Sequence, residues 1–569
     1  MTVQPSVHHR RRSSLFIYLL PLFFVGAYWL VRGYLFGVVD DSHAIQIPFL
    51  KATLDPTLYP NDPMLATRFA YPAYYFSLLA LLARQIDLEP LFLGLYLLTL
   101  AGFLLGIVAL TRSLVQDAQP VRPVAVVLLL SLAALPVLSG DDLVIRSTLA
   151  RHMALMLGLW TLVLSVRGSQ LAAYTLAGLL FNLHALTGCY VLAMLIVADI
   201  TSLPRPRWPE IGLLAALALI LASPTLVWVL RTSEAVTPEW IALLRLRSAQ
   251  HSFPFSWPVS DYVMFGLWLL LAGLGWWPRR RTTQGRWLAG AALAVAGMGL
   301  VGVVFSEVLP LGPVLRAQLL RSTKFFTLLA LPLVAAWLLA QWDRGGFARL
   351  GSIIAGAGLF IPDPWLWCVA VAAGTLIALL GGWAPLDRAG RLLERRAGNG
   401  LPPPVRQAWH RVAGWPGAGR WIIVLALVTG GLALVANLSR TPPAADALAA
   451  WIDVQQWAHD NTARGAIFLT PPYLYGFRVD SERPIVGEWK DGTQQYFSVP
   501  YASDWWNRMR DLQTETSTTT AYNDLTSAQV KVIRDRYGAR YAVFFADKAL
   551  DLPVAYRNPW FVVYLIPDT

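Results

Sequence analysis

The sequence predicts a mainly α fold: a polytopic transmembrane helical bundle of about thirteen spans over residues 1–437, followed by a small soluble α/β domain over residues 438–569. Three observations carry this. Hydrophobic residues fill 56% of the 569 positions and charged residues only 14%, whereas soluble domains carry about a quarter charged residues. The arginines lie in short clusters between long apolar runs. After Arg440 the composition returns to that of an ordinary globular domain.

A spanning helix needs about 20 mostly apolar residues, and short Arg- or Lys-rich connections stay on the cytoplasmic side. The first run, 14–38, follows Arg10, Arg11 and Arg12. It is too long for a signal-peptide core and has no small-residue cleavage site, so it reads as an uncleaved span with a cytoplasmic N-terminus. The stretch 71–83 is apolar but short, opens on aromatic residues and a proline, and ends at Arg84. Those features suit a helix lying in the membrane interface rather than crossing it.

Leaving 71–83 out of the count makes 91–110 the second span and puts Arg112 and Arg122 inside. Further spans are read at 124–138, 153–166, 171–183, 190–200, 211–230, 262–277, 287–305, 325–342, 350–361, 365–380 and 421–435. In this register Arg167, Arg205, Arg207, Arg279, Arg281, Arg344 and Arg349 are cytoplasmic, as is the basic, Pro/Gly-rich stretch 388–420. Counting 71–83 as a span would reverse all of them. The stretch 388–420 reads as a linker against the anionic headgroups of membrane lipids.

The net charge of +12 does not indicate nucleic acid, because the arginines mark topology instead of gathering on one face of a domain. Cys189 and Cys368, the two cysteines, both lie in apolar runs. A disulfide framework and a Cys-based metal site are thereby excluded.

The external regions are then 39–70, 139–152, 231–261, 306–324 and everything after Asn437. In the tail, 444–459 and 527–536 have helical spacing, while 466–469, 541–545 and 561–566 read as strands. This βαβ-like domain has no Gly-rich phosphate loop, no GxSxG elbow and no metal-spaced histidines, which argues against catalysis of its own. Its aromatic middle comprises Tyr473, Tyr475, Phe477, Trp489, Tyr496, Trp505 and Trp506. Those rings either cover a membrane site and stack on sugars or form plain core.

Three groups of polar residues stand out. VVDDSHAIQ puts Asp40 and Asp41 directly after the first span, with His43 beside them, and carboxylates at a membrane boundary call for a reason. Asp141, Asp142, Arg146, Arg151 and His152 form a second cluster, which either pairs internally or helps bind a donor or metal. His184, in FNLHALTG, lies where two short apolar runs meet near the outer face, either lining a cavity or serving structure alone.

An outward first span, an acidic residue opening a long external loop, an interfacial helix and a soluble domain after the last span together resemble the GT-C class of membrane glycosyltransferases, over the whole chain. The helix YPAYYFSLLALLAR is similar to the juxtamembrane helix that many members begin with His-Pro-Pro or Pro-Pro-Leu-Tyr-Tyr. Here it begins Tyr71-Pro72-Ala73-Tyr74-Tyr75, and this departure leaves the donor sugar and acceptor unspecified.

The resemblance implies transfer of a sugar, with inversion, from a polyprenyl-phosphate-linked donor to a lipid, glycan or protein acceptor. Asp41, or Asp40 beside it, would be the base, its pKa raised by partial desolvation toward the working pH. A departing phosphate needs positive charge, and Arg316, Arg321 and Lys324 of LGPVLRAQLLRSTKFF would supply it from an external loop. Some members use a divalent cation, Mg or Mn, for which the two acidic pairs leave room; such sites have no linear signature.

Two other classes share the many spans. A lipid or solute transporter or flippase is often built from internal repeats, which this sequence lacks. A non-catalytic scaffold of the same fold is the other. Arg-rich inner loops and few lysines suit a bacterial inner membrane with the tail in the periplasm, and a eukaryotic endomembrane fits the same topology.

Overall fold

The computed structural model describes residues 7–39, 42–71, 73–117, 119–133, 135–140, 143–202, 207–399, 445–513 and 519–568. Its first elements are α1 (Val7–Arg32), α2 (His43–Leu54), α3 (Pro63–Ala66), α4 (Tyr75–Ala83), α5 (Leu88–Leu114) and α6 (Val121–Leu130). They are followed by α7 (Ala150–Val166), α8 (Gln170–Leu183), α9 (Ala185–Ser202), α10 (Trp208–Thr232), α11 (Pro238–Ser252), α12 (Val259–Trp276) and α13 (Thr283–Val303). The bundle closes with α14 (Gly312–Ala317), α15 (Thr323–Arg344), α16 (Gly346–Gly358), α17 (Pro364–Leu380) and α18 (Ala384–Asn399).

Among the described residues, six helical stretches are individually long and apolar enough to cross a membrane: Leu88–Leu114, Ala185–Ser202, Trp208–Thr232, Val259–Arg279, Thr283–Val308 and Gly312–Arg344. Shorter apolar helices, Leu19–Arg32, α6, α7 and α8, pack beside them. The chain is an integral membrane protein with a polytopic helical bundle. The expected span 421–435 lies outside the described residues. α4 is 9 residues long, about 14 Å at 1.5 Å per residue, and is too short to cross. Residues 388–399, at the start of the stretch 388–420 read as a linker, continue α18.

The run expected to span 124–138 is helical only as far as Leu130. Non-helical backbone at membrane depth survives only where its polar groups find partners inside the protein. Here Arg32 Nη2 donates to the Leu132 carbonyl at 2.6 Å, Thr327 Oγ1 to that of Pro136 at 2.8 Å, and Thr323 Oγ1 to that of Leu138 at 3.4 Å. Helices α9 and α13 meet through small residues, which let backbones approach closely in membranes. A Cβ on Gly290 would lie 2.7 Å from the Ala198 Cα.

The C-terminal domain comprises α19 (Ala445–Asn461), β1 (Ile467–Leu469), α20 (Phe477–Ser481), α21 (Val499–Asp511), α22 (Thr519–Asn523), α23 (Ser527–Tyr537), β2 (Ala539–Phe545), β3 (Val554–Arg557) and β4 (Phe561–Leu565). The strands form one sheet in the order β1-β2-β4-β3, with β1 parallel to β2 and the other pairs antiparallel. Successive residues of a strand face opposite sides. Accordingly Val543, Phe561 and Val563 pack on Trp451 and Val454 of α19, while Phe544, Val562 and Tyr564 share a cluster with Val530 and Ile533 of α23. Helix α23 starts in a capping box of Thr526 and Gln529 and stops at Gly538, whose φ of 75° suits a residue without a Cβ.

This domain caps one end of the bundle. Lys51 of α2 bonds Glu482 at 2.8 Å, and Tyr59 donates to the Arg478 carbonyl at 3.0 Å. Asp62 caps α3 through Met64 and Leu65, and also takes Arg478 Nε at 2.7 Å. Trp240 Nε1 donates to the Gln495 carbonyl at 2.9 Å, and Arg247 Nε to that of Trp489 at 2.9 Å. One apolar cluster joins Phe49, Leu65 and Phe76 of the bundle to Val486, Tyr501 and Trp505 of the cap.

Candidate functional site

A cavity of about 290 Å³ lies where the cap meets the bundle. Its walls are the tip of the α8–α9 hairpin (Phe181, His184, Leu186, Cys189), the end of α10 (Leu226, Val229, Thr232, Ser233), the α14 turn (Pro313, Arg316, Ala317, Gln318) and Tyr71, with Tyr496 and Phe497 of the cap. Short helices produce the recess: α8 has 14 residues, about 21 Å of helix against roughly 30 Å of hydrocarbon. The chain turns at His184, between α8 and α9. The lining is mostly apolar, with a few polar groups converging on it, which is the usual make-up of a small-molecule site.

The polar groups are held by local structure. Gln318 adopts a left-handed conformation with φ of 45°, which costs an L residue about 1–2 kcal/mol. Tyr190 Oη reaches the carbonyls of Ala317 and Gln318 at 2.6 and 2.8 Å and fixes that turn. The turn separates Arg316 from Arg321. Arg316 Nη1 donates to Ser233 Oγ at 3.1 Å and Nη2 to the Glu234 carbonyl at 3.0 Å, with the guanidinium 5.5 Å over the Trp240 ring. Its Nε is buried with no hydrogen-bond partner among the described residues. Arg321 Nη1 donates to Gln318 Oε1 at 2.7 Å.

His184 stands in the short break between α8 and α9. Thr187 N donates to its Nδ1 at 3.3 Å, and Thr187 Oγ1 lies 3.0 Å from the same atom. An accepting Nδ1 leaves the proton of a neutral imidazole on Nε2. Burial pushes the Tyr71 and Tyr496 phenols upward; Arg151 and Arg321 oppose this at Tyr71, and hydrogen bonds to Ser252 and Ser248, with the charges of Arg321 and Arg247, oppose it at Tyr496. Phe497 closes the roof against Tyr71, ring centroids 4.5 Å apart.

Residues 449–512, from within α19 to the end of α21, match a family described as a domain of unknown function, DUF6798. No curated protein matches the sequence. The fold resembles the crystal structure of ArnT from Cupriavidus metallidurans bound to undecaprenyl phosphate, with a TM-score of 0.50 and 16% identity, over 97% of this chain and 98% of that one. The chain has the GT-C fold. The fold expected from the first-span boundary, the interfacial helix and the soluble tail is thus borne out.

The GT-C bundle brings some of the residues singled out in the sequence to the cavity and leaves others apart. Arg316 and His184 line it, and Arg321 touches Gln318 in its wall. Lys324 is buried in the first turn of α15, its Nζ 6.0 Å from the Phe325 ring centroid, and is not part of the lining. His43 is fully buried, with Nε2 3.2 Å from the Thr148 carbonyl and its ring edge-on to Phe36 and Phe92. His152 Nδ1 lies 2.7 Å from the Ser147 carbonyl, with Arg151 Nε 3.4 Å from Nε2. Arg146 is exposed, and its carbonyl accepts from Leu35 N at 2.7 Å. Asp40, Asp41, Asp141 and Asp142 lie outside the described residues.

Among the described residues no three His, Cys, Asp or Glu side chains are grouped to hold a metal ion. The aromatic middle of the cap divides between the two readings given for it. Trp505 and Phe477 are fully buried core, whereas Tyr496, with Phe497, roofs the cavity. Ser233 and Phe497 escaped the sequence reading. A serine in a loop carries no linear signal, and a left-handed Gln318 shows only in the backbone.

Proposed function

We propose that this protein transfers a sugar from a polyprenyl-phosphate-linked donor to an acceptor, with inversion, at the capped face of the bundle, and that this face is periplasmic. The observation that carries the reading is Arg316: it lines an apolar cavity and keeps a buried Nε–H without a partner. An apolar recess ending in an unused cationic donor suits an isoprenoid chain ending in phosphate. The undecaprenyl phosphate bound by ArnT, which shares the fold, supports the same ligand class.

In this reading an acceptor oxygen attacks the anomeric carbon while the bond from that carbon to the phosphate oxygen breaks. The electron pair leaves with the polyprenyl phosphate. Arg316, with Arg321 behind the Gln318 turn, stabilises the charge gathering there. The acceptor's proton passes to Asp41 or Asp40, which the sequence places at the start of the first loop. Lys324 is buried one turn of helix from Arg321 and adds positive potential.

The test is a transfer assay with the full chain in nanodiscs, supplied with a panel of undecaprenyl-phosphate-linked sugars and a membrane extract as acceptor. Release of undecaprenyl phosphate is expected, and loss of it, at least 100-fold, in Asp41→Asn or Asp40→Asn. Full transfer in both variants and in the double variant would remove the carboxylates from the mechanism. Failure of undecaprenyl phosphate to bind at all would reject the function.

A further inference from the structure

Helices α12 and α13 follow one another in the chain, yet each packs on a different neighbour. α12 meets α15 so closely at Gly275 that a Cβ there would lie 2.1 Å from the Leu333 carbonyl oxygen, and α13 meets α9 at Gly290. Above their connecting turn the two helices part, and an apolar groove of about 300 Å³ opens between them. Leu329 and Leu333 of α15, both buried, form its floor, with Gly273 of α12 and Ala289 of α13 on its sides and Trp276 at one end. Gly273 and Ala289 are exposed, so the groove opens to the bilayer. It shares no lining residue with the cavity under the cap.

The turn at the foot of this groove lies at the end of the bundle away from the cap. α12 starts shortly after Phe255 and α13 leads into Glu307, whose carboxylate accepts from Phe255 N at 2.8 Å and pairs with Arg245 of α11 at 2.8 Å. α11 carries Trp240 and Arg247, which bond the cap. The opposite ends of α12 and α13 are joined by the turn, and Trp276 Nε1 donates to the Gly285 carbonyl at 2.8 Å, tying the groove's end to it.

That turn, WPRRRTTQGR, holds Arg279, Arg280, Arg281 and Arg286, and no acidic residue occurs between Asp261 and Glu307. Arg279 Nη1 donates to the Gly275 carbonyl at 2.8 Å, Arg280 Nη1 to that of Trp277 at 2.6 Å and Arg286 Nε to that of Ser202 at 3.0 Å. Arg281 is exposed. Backbone carbonyls orient these side chains without neutralising them. In a bilayer the groove's apolar walls are covered by a hydrocarbon chain. From Leu269 to Trp276 the helix rises about 10 Å, inside the roughly 15 Å half-thickness of the hydrocarbon. A chain lying there belongs to the leaflet on that side, and its headgroup emerges at the arginines.

We infer that the groove and its arginine turn bind one anionic glycerophospholipid, with an acyl chain between α12 and α13 and the phosphate on the guanidinium groups. Basic pockets between spanning helices suit anionic headgroups, and guanidinium matches phosphate in shape and charge. The inference stands apart from the sugar-transfer reading, because it uses neither the cavity under the cap nor any residue assigned to it.

The groove can be filled from either side. Nothing lies within 4 Å of a Cβ at Gly273, so Gly273→Phe fills it from α12, and Ala289→Phe fills it from α13. Arg280→Gln/Arg281→Gln alters the turn alone. The full chain, delipidated in detergent, is titrated by native mass spectrometry with dioleoylphosphatidylglycerol, dioleoylphosphatidylcholine and undecaprenyl phosphate, and melting temperatures show which variants are folded. Wild type should bind its first phosphatidylglycerol at least fivefold more tightly than phosphatidylcholine. The arginine variant should lose that preference, and each folded groove variant should bind phosphatidylglycerol at least fivefold more weakly than wild type, with undecaprenyl phosphate affinity within about twofold. Equal affinity of wild type for the two phospholipids overturns the inference. So does wild-type phosphatidylglycerol affinity in a folded groove variant, which would mean that the arginines attract anionic lipid without a site. Loss of undecaprenyl phosphate binding in the groove variants overturns it as well, and would give the groove to an isoprenoid chain.

Discussion

Arg478 of the cap and Asp62 of the first loop, 416 positions apart, form a buried ion pair with Nε 2.7 Å from Oδ2. Asp491 takes the other edge of the same guanidinium at 3.0 and 2.9 Å, and all three side chains are essentially excluded from solvent. Removing one partner of such a group strands the other charges in a medium of low dielectric. Arg478→Ala should therefore destabilise cap docking by about 3–5 kcal/mol. Thermal unfolding and limited proteolysis of the purified chain check this, with early release of a fragment near 445–569 expected. A variant as protease-resistant as wild type would deny the pair its role as a lock.

Glu488 lies in the same buried group and accepts from Gly476 N and Phe477 N. Burial first, and then the charge of Asp491, push its carboxyl up to about 8, against the pull of Arg478. An unfolded glutamate titrates near 4.3, so the folded state favours the protonated form. The stabilisation is present in full below about pH 4 and is lost as pH rises toward and through 8. Wild type should melt at falling temperature from pH 5 to pH 9. Glu488→Gln, which keeps the shape and an accepting oxygen, should flatten that slope; parallel curves for the two proteins would exclude Glu488 as the titrating group.

Arg316 is asked to hold a lipid phosphate with a donor it does not otherwise use. Charge-assisted hydrogen bonds contribute about 1.5–3 kcal/mol. Arg316→Ala should weaken undecaprenyl phosphate binding about 10- to 100-fold in a native mass-spectrometry titration. Equal affinity in the variant would move the phosphate site elsewhere.

Gly290 and Gly297 lie on the same helix in different surroundings. A side chain at Gly290 meets the Thr201 side chain and the Ala198 backbone of α9, whereas nothing lies within 4 Å of a Cβ at Gly297. Gly290→Leu should lower stability by roughly 1–3 kcal/mol through overpacking, and Gly297→Leu should leave it nearly unchanged. Unfolding in detergent micelles compares the two; equal melting temperatures would mean that α9 and α13 are not in close contact.

Much of the fold was legible in the chain because it follows from local, repeating signals. Apolar run length separates α5 or α10 from α4, Arg clusters mark the turns between runs, and Thr526, Gln529 and Gly538 mark the ends of α23. The two residues read as opening the first loop, Asp40 and Asp41, were visible because charge at a membrane boundary is costly wherever it occurs. Arg316 stood out for a related reason, as a cation in a loop where topology disfavours it.

What the tertiary structure alone decided is which residues meet. Nothing local joins Asp62 to Arg478, or puts Phe497 over Tyr71, since those contacts span more than four hundred positions and arise from docking the cap on the bundle. The early end of α6 was equally hidden, because the carbonyls of Leu132 and Pro136 in the non-helical segment that follows it are satisfied by Arg32 and Thr327 on other helices. His43 and His184 look alike in sequence as lone histidines near a membrane edge. The first is enclosed by Phe36 and Phe92, and the second stands in a break between helices at the wall of a cavity. Hydropathy and charge act on each residue through the solvent around it, so the sequence carries them directly; pairing depends on how distant surfaces fit, and that is settled only when the helices and the cap are packed together.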